Sequence, residues 1–167
     1  ILQEKQEASG CWPYYPYTFI LTNFSVCNAI SKEASKEVID KAKRNNVKCF
    51  FSIGGGNPVW QEKFSFSTKD RSRKNFVNNI MDIIKQFDYD GVDIDWEFPR
   101  KNDRENFLKF MEELFVNIKS IDKELTFFIG SPYYSAGYNW KELVKFCDFI
   151  IMGGYDFGDG TKEAPYN

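Results

Sequence analysis

The sequence predicts an α/β fold built on a parallel sheet. Short apolar and aromatic runs alternate along the chain with longer amphipathic runs. Two of the longer runs carry an apolar stripe at helical spacing. The 167 residues, 43% hydrophobic and 28% charged, have the balance of a soluble globular domain able to bury a core. A single domain is expected over residues 1–167.

The elements follow in order. Residues 18–26 are apolar and aromatic, bounded by Pro16 and Asn28, and read as a first strand. Residues 31–45 read as a short helix with Ser31 as its N-cap. Residues 47–53 form a second strand, closed by Gly54, Gly55 and Gly56, and residues 57–70, rich in Ser, Lys and Phe, read as a loop. Residues 72–87 place Phe76, Ile80, Ile83, Ile84 and Phe87 on one helical face. Residues 89–96 are a third strand. A helix over 103–121 aligns Phe107, Phe110, Met111, Leu114, Ile118 and Ile121, with Asn102 and Glu105 at capping-box spacing. Strands at 125–130 and 148–155 flank a short helix at 140–146. Such alternation implies right-handed crossovers. Length alone does not separate a doubly wound sheet from a barrel, but Gly54-Gly55-Gly56 lacks both the G-x-G-x-x-G spacing and a P-loop lysine, which argues against a nucleotide site.

Composition narrows the chemistry. There is no histidine, which removes Ser-His-Asp and Cys-His catalysis and the usual zinc sites. Acid–base work must fall to carboxylates, Lys, Tyr or Cys. Cys11, Cys27, Cys49 and Cys147 form no C-x-x-C pair, so buried thiols and one or two disulfides both remain open. The net charge is −2, and the cluster Lys69, Arg71, Arg73 and Lys74 reads as the solvated start of a helix rather than a nucleic-acid footprint. No apolar run reaches the roughly 18 residues of a membrane span. No nucleic-acid or membrane partner is expected, and no cofactor or metal. Asn23-Phe24-Ser25 matches the N-glycosylation pattern within a strand-like run. Residues 1–10 do not show the basic-then-apolar pattern of a secretory leader.

The segment Asp90-Gly91-Val92-Asp93-Ile94-Asp95-Trp96-Glu97 carries the chemistry. Strand side chains alternate between faces, so Asp93, Asp95 and Glu97 share one face while Val92, Ile94 and Trp96 share the other. Neighbours on a face stand roughly 7 Å apart at the backbone. Like charges that close cannot all ionise, so at least one carboxyl pKa must rise. A carboxyl raised toward neutrality is what a general acid needs. The competing readings are a solvated acidic edge strand and a metal-binding acid cluster; apolar helices on both flanks argue against the first.

The same segment resembles the D-x-x-D-x-D-x-E signature of glycoside hydrolase family 18, with all four acids in register and Phe98-Pro99 following. Ser52-Ile53-Gly54-Gly55 resembles the family's S-x-G-G motif, and Tyr155-Asp156 the Tyr-Asp that ends its sixth strand. The resemblance spans residues 17–158. It implies a (β/α)8 TIM barrel with sites at the C-terminal strand ends, of which this chain holds about strands 2–6. It implies retaining, substrate-assisted hydrolysis of β-1,4 linkages in chitin or N-acetylglucosamine oligomers, outside the two-carboxylate scheme. Glu97 would be the acid and base. Asp95 would hold the acetamido N–H, Asp93 would share the Asp95 proton, and Tyr155 would orient the acetamido carbonyl. Ser52, Gly54, Gly55, Trp60, Tyr133 and Asp156 become candidate substrate-binding residues, with Asp90 as structural support. Endo-N-acetylglucosaminidase activity on N-glycans and a non-catalytic chitin-binding lectin are the alternatives. A secreted location is expected from the substrate class.

Two features depart from that pattern. Met152-Gly153-Gly154-Tyr155-Asp156 is one residue longer than the family's Met-x-Tyr-Asp, so either a bulge restores register or Gly153 takes the methionine's place. A barrel of this type needs about 250 residues, so the remaining strands are expected outside this chain. The aromatics Trp60, Tyr133, Tyr134, Tyr138, Trp140 and Phe157 fall in candidate active-face loops, where sugar stacking and core packing are both open.

Overall fold

A computed structural model describes residues 32–130 and 136–154. The expected first strand, the Ser31 cap, Cys11, Cys27, Asn23, Tyr133, Tyr134, Tyr155, Asp156 and Phe157 lie outside the described residues. The elements are α1 (Lys32–Arg44), β1 (Phe50–Gly55), α2 (Pro58–Ser67), α3 (Asp70–Phe87), β2 (Gly91–Trp96), α4 (Arg104–Lys119), β3 (Glu124–Ile129), α5 (Trp140–Leu143) and β4 (Phe149–Met152). Single 3-10 turns, Lys101–Asp103 and Val144–Phe146, precede α4 and follow α5.

The four strands pair in parallel in chain order, β1-β2-β3-β4. A doubly wound sheet reverses its strand order to place helices on both faces. Among the described strands the order does not reverse, and the pairing register sorts side chains into rows. Ile53, Ile94, Phe127 and Ile150 align on the outer face. Ser52, Asp93, Thr126 and Phe149 align on the inner face. The inner-face rings of Phe50 and Phe149 meet edge-on with centroids 5.7 Å apart. Their strands are three places apart, about 14 Å in a flat sheet. The sheet is therefore curved toward the acid face, as a barrel wall is.

Packing on the outer face is largely aromatic. Trp96 of β2 stacks on Phe64 of α2 at 5.0 Å and meets Phe107 of α4 edge-on at 5.4 Å. Phe76 of α3 joins Phe64 and Phe110 at 5.8 and 4.9 Å. Val92, Ile94, Phe64 and Phe110 are fully buried. Each such side chain contributes roughly 1.5–3 kcal/mol of hydrophobic stabilisation. The helices that bury Val92, Ile94 and Trp96 thereby fix which way β2 faces.

Two expectations are corrected and a third is refined. Residues 58–67 form a helix, not a loop: Pro58 sits at its first turn, and the Asn57 side chain caps it by accepting from the Val59 N–H at 2.9 Å. Hydrophobic spacing does not mark it, because Gln61 and Ser67, both polar, share the buried face with Phe64. The turn before α4 is closed by Asp103 rather than by the Asn102–Glu105 pair: its Oδ2 accepts from the Arg100 N–H at 3.0 Å, and its Oδ1 from Ser65 Oγ at 2.6 Å. The 140–146 helix is one α turn continued by a 3-10 turn.

At the sheet's edge, Gly153 N–H donates to Ile129 O at 2.8 Å, so β4 keeps its register through Gly153 with no bulge. Gly153 thus shares the inner-face register of Phe149 and Ile151. Phe149, Ile151 and Met152 are exposed along this edge strand. Cys49 and Cys147 are free and half-buried. Among the described residues no helix is long and apolar enough to cross a membrane.

Candidate active site

Strand β2 ends in the acid row. Its start is tied to β1 by Asp90, whose Oδ2 accepts from the Cys49 N–H at 2.7 Å while its own N–H donates to Cys49 O at 2.9 Å. Asp148 grips the start of β3 in the same way, accepting from the Leu125 N–H at 2.8 Å. These clamps sit at the strand entrances, so they set register without occupying the site.

Asp93 is buried in the inner row between two hydroxyls. Ser52 Oγ donates to its Oδ2 at 2.9 Å and Thr126 Oγ1 to its Oδ1 at 2.8 Å. Burial raises the Asp93 pKa, and the two hydroxyls oppose the rise. Thr126 was not among the sequence candidates. The signal was available: it alternates with the outward Leu125 and Phe127, which puts it beside Asp93 once the strands pair.

Asp95 lies one step further along the same face. Its pKa is pushed up to about 7, first by burial, then by the Glu97 and Asp93 charges and a hydrogen bond with Glu97. Its Oδ1 is buried with no partner among the described residues. Gly54 makes room for this strand. With φ of 138° it occupies backbone space that favours glycine, and a Cβ there would stand 1.7 Å from Asp95 O. Gly55 follows with φ of 114°.

The half-buried Glu97 follows the strand, and its carboxylate lies beside Gly56, just past the end of β1. Its Oε2 lies 3.3 Å from where a Cβ on Gly56 would stand. On the opposite side of β2, Trp96 donates its indole N–H to Gln61 Oε1 at 2.9 Å. The row Asp93, Asp95, Glu97 therefore shares one face, as alternation predicts, and Trp96 anchors the other.

The remaining candidates divide. Ser52, Gly54 and Gly55 lie on β1 beside the acids. Trp60 is half-buried on the first turn of α2, with Lys63 Nζ 4.5 Å from its ring centre. Tyr133, Tyr155 and Asp156 lie outside the described residues. Tyr138 and Trp140 stack with centroids 4.6 Å apart, and Tyr138 also packs on Phe107 and Phe127. Among the described residues no three metal-ligating side chains converge on one point. The grouping instead suits proton sharing between adjacent carboxyls.

Comparison with known proteins places this geometry. Residues 4–166 match the model of glycosyl hydrolases family 18. The chain is 26% identical to probable chitinase 2 of Drosophila melanogaster over 135 residues, which are 76% of this chain and 28% of that protein. It is 29% identical to endochitinase 1 of Metarhizium anisopliae over 148 residues, 78% of this chain and 33% of that one. The chain thus spans about a third or less of the length of these relatives. In structure it resembles the putative sporulation-specific glycosylase ydhD of Bacillus subtilis, with a TM-score of 0.77 and 21% identity, covering 91% of this chain and 52% of that one. The curved wall of parallel strands is accordingly part of a TIM-barrel fold. With the acid row on its inner face and the family model matched nearly end to end, the chain belongs to glycosyl hydrolases family 18.

Proposed function

We propose that the protein hydrolyses β-1,4 linkages in chitin or N-acetylglucosamine oligomers, retaining configuration with help from the substrate's own acetamido group. One observation carries this reading above the rest. On one face of β2, Asp95 has its pKa pushed up to about 7, while the Glu97 carboxylate reaches past the strand's end. Two adjacent carboxyls that share a proton supply both an acid and a charge stabiliser at near-neutral pH.

In the proposed reaction Glu97 protonates the glycosidic oxygen as the bond to the anomeric carbon breaks. The acetamido carbonyl oxygen attacks that carbon and forms an oxazolinium ion. Asp95 accepts a hydrogen bond from the acetamido N–H and stabilises the positive charge. Asp93, held by Ser52 and Thr126, takes a larger share of the proton as Asp95 becomes anionic. Glu97, now a carboxylate, draws a proton from water, which opens the oxazolinium and restores the acid. Tyr155 is assigned to orient the acetamido carbonyl. The exposed edge of β4 is assigned to pairing with the remaining barrel strands. An extracellular location follows from a polymeric substrate.

The test uses the protein that carries this chain with fluorogenic chitobiose and chitotriose conjugates. It should release the fluorophore, and Glu97→Gln should lower the rate by at least about 10²–10⁴-fold, the usual contribution of a general acid, while chitotriose binding persists. Near-normal turnover by Glu97→Gln would remove the assignment. Release from N-glycan substrates alone would favour the endo-N-acetylglucosaminidase reading, and binding without any release the lectin reading.

A further inference from the structure

Helix α2 packs on the outer side of the acid-bearing strand, and its polar contacts bracket Glu97. The ladder between β1 and β2 runs to the pair Gly55 and Trp96, so Glu97 stands one residue beyond it. Trp96 precedes the acid, and the turn at 98–103 follows it. Gln61 of α2 accepts the Trp96 indole N–H at 2.9 Å. One helical turn later, Ser65 donates to Asp103 Oδ1 at 2.6 Å. Asp103 in turn closes the segment after Glu97, since its Oδ2 accepts from the Arg100 N–H at 3.0 Å. Residues four apart are neighbours on a helix surface. One side of α2 therefore holds the chain both before Glu97 and after it.

The bond to Trp96 sets what packing leaves free. Phe64 stacks on the indole at 5.0 Å with the planes 10° apart, and Phe107 meets it edge-on at 5.4 Å. Stacking keeps the ring in its layer but leaves rotation within that plane soft. A hydrogen bond is directional, and this one fixes the rotation. Gln61 is only 8% exposed, and its Nε2 is buried without a partner among the described residues. An unpaired buried amide nitrogen is destabilising, and two apolar side chains would pack here without that cost. The Gln61–Trp96 pair is thus poor as packing and useful as orientation. Asn57 gives α2 a fixed start by capping it.

Building on the hydrolase reading, we propose that Gln61 and Ser65 are positioning residues for the acid, holding the Trp96 ring and the Asp103 turn so that the Glu97 carboxyl between them keeps its aim. Both act through other residues. Their removal therefore bears on the chemical step more than on sugar binding, because a reacting group misplaced by about 1 Å can cost about 10²-fold in rate.

Gln61→Met keeps the side-chain length and removes the acceptor. On chitotriose conjugates it should lower kcat about 10- to 100-fold while KM stays within about 2-fold. Gln61→Glu keeps an oxygen for the indole N–H and should recover most of that rate. Ser65→Ala, the milder change, should lower kcat about 3- to 10-fold at unchanged KM, the worth of one hydrogen bond. Ile118→Ala, in the buried core at the far end of α4, is the stability control, and its kcat should match the parent's well below its melting temperature. Side-chain carboxyl NMR reads the same aim without turnover. In Gln61→Met the Asp95 midpoint should move down from about 7, because a displaced Glu97 no longer raises it. Parental kcat together with a parental Asp95 midpoint would overturn the proposal, and so would an equal loss of kcat in Ile118→Ala. If Gln61→Met does not fold, the same two readouts in Ser65→Ala decide. No turnover by the parent protein would sink the hydrolase reading alone, and the Asp95 midpoint would then decide on Gln61.

Discussion

The carboxyl groups of Asp95 and Glu97, two residues apart on one strand face, are hydrogen-bonded to each other. Two carboxylates can make that bond only by holding a proton between them. The strand's alternation, the outward anchoring of Trp96 and the clearance at Gly54 all serve to bring these two groups together.

Asp95 should make stability depend on pH. Its folded pKa, about 7, is above the ordinary 3.8, so between those values the folded chain binds more protons than the unfolded chain. Its contribution is fully present below about pH 4 and is lost as pH rises through 7. Asp95→Asn should therefore stabilise the protein relative to the parent at pH 8 by on the order of 1–3 kcal/mol, and much less at pH 4. Urea unfolding at the two pH values measures the difference. An equal effect at both would show that Asp95 titrates normally.

The two hydroxyls on Asp93 should be separable. Ser52→Ala and Thr126→Val each leave one buried carboxylate oxygen without its donor. Each should lower stability by about 1–3 kcal/mol at pH 7. Because both hydroxyls favour the charged form, each variant should also raise the Asp93 pKa further, which side-chain carbonyl NMR titration would read. A stability change near zero for both would mean that the hydroxyls do not hold the group.

Gly54→Ala should be severe. The added Cβ meets Asp95 O at 1.7 Å in a backbone conformation that alanine rarely adopts. A loss of about 4 kcal/mol or more is expected, in the range that marks backbone clashes and strain at a special φ. Gly56→Ala is the milder control, since its Cβ would meet only the end of the Glu97 side chain, at 3.3 Å. It should leave the melting temperature nearly unchanged while disturbing turnover. Equal stability for the two variants would contradict the close approach of β1 and β2 at Gly54.

Much of the fold was legible because it is periodic. Residues 91–96 alternate cleanly, so the faces of Asp93, Asp95 and Trp96 follow from parity alone. The stripes through Phe76 and Ile80, and through Phe107 and Leu114, mark α3 and α4. What stayed hidden depends on tertiary partners. The helix at 58–67 buries Gln61 against an indole N–H and Ser67 beside Phe64, so hydrophobicity did not mark it. Thr126 acquires its place at Asp93 only through strand register. Tyr138 proves to be a core residue, packed on Phe107 and Phe127, which its place in a loop did not reveal.

The initial anomer of the product tests the central claim most directly. If the acetamido oxygen displaces the leaving group and water then opens the oxazolinium, two inversions occur and the configuration is kept. Proton NMR of chitotriose or longer oligomers in the first minutes with the active protein should show the β-anomer accumulating before mutarotation. First appearance of the α-anomer would mean a single displacement by water, and would contradict the roles given to Asp95 and Glu97.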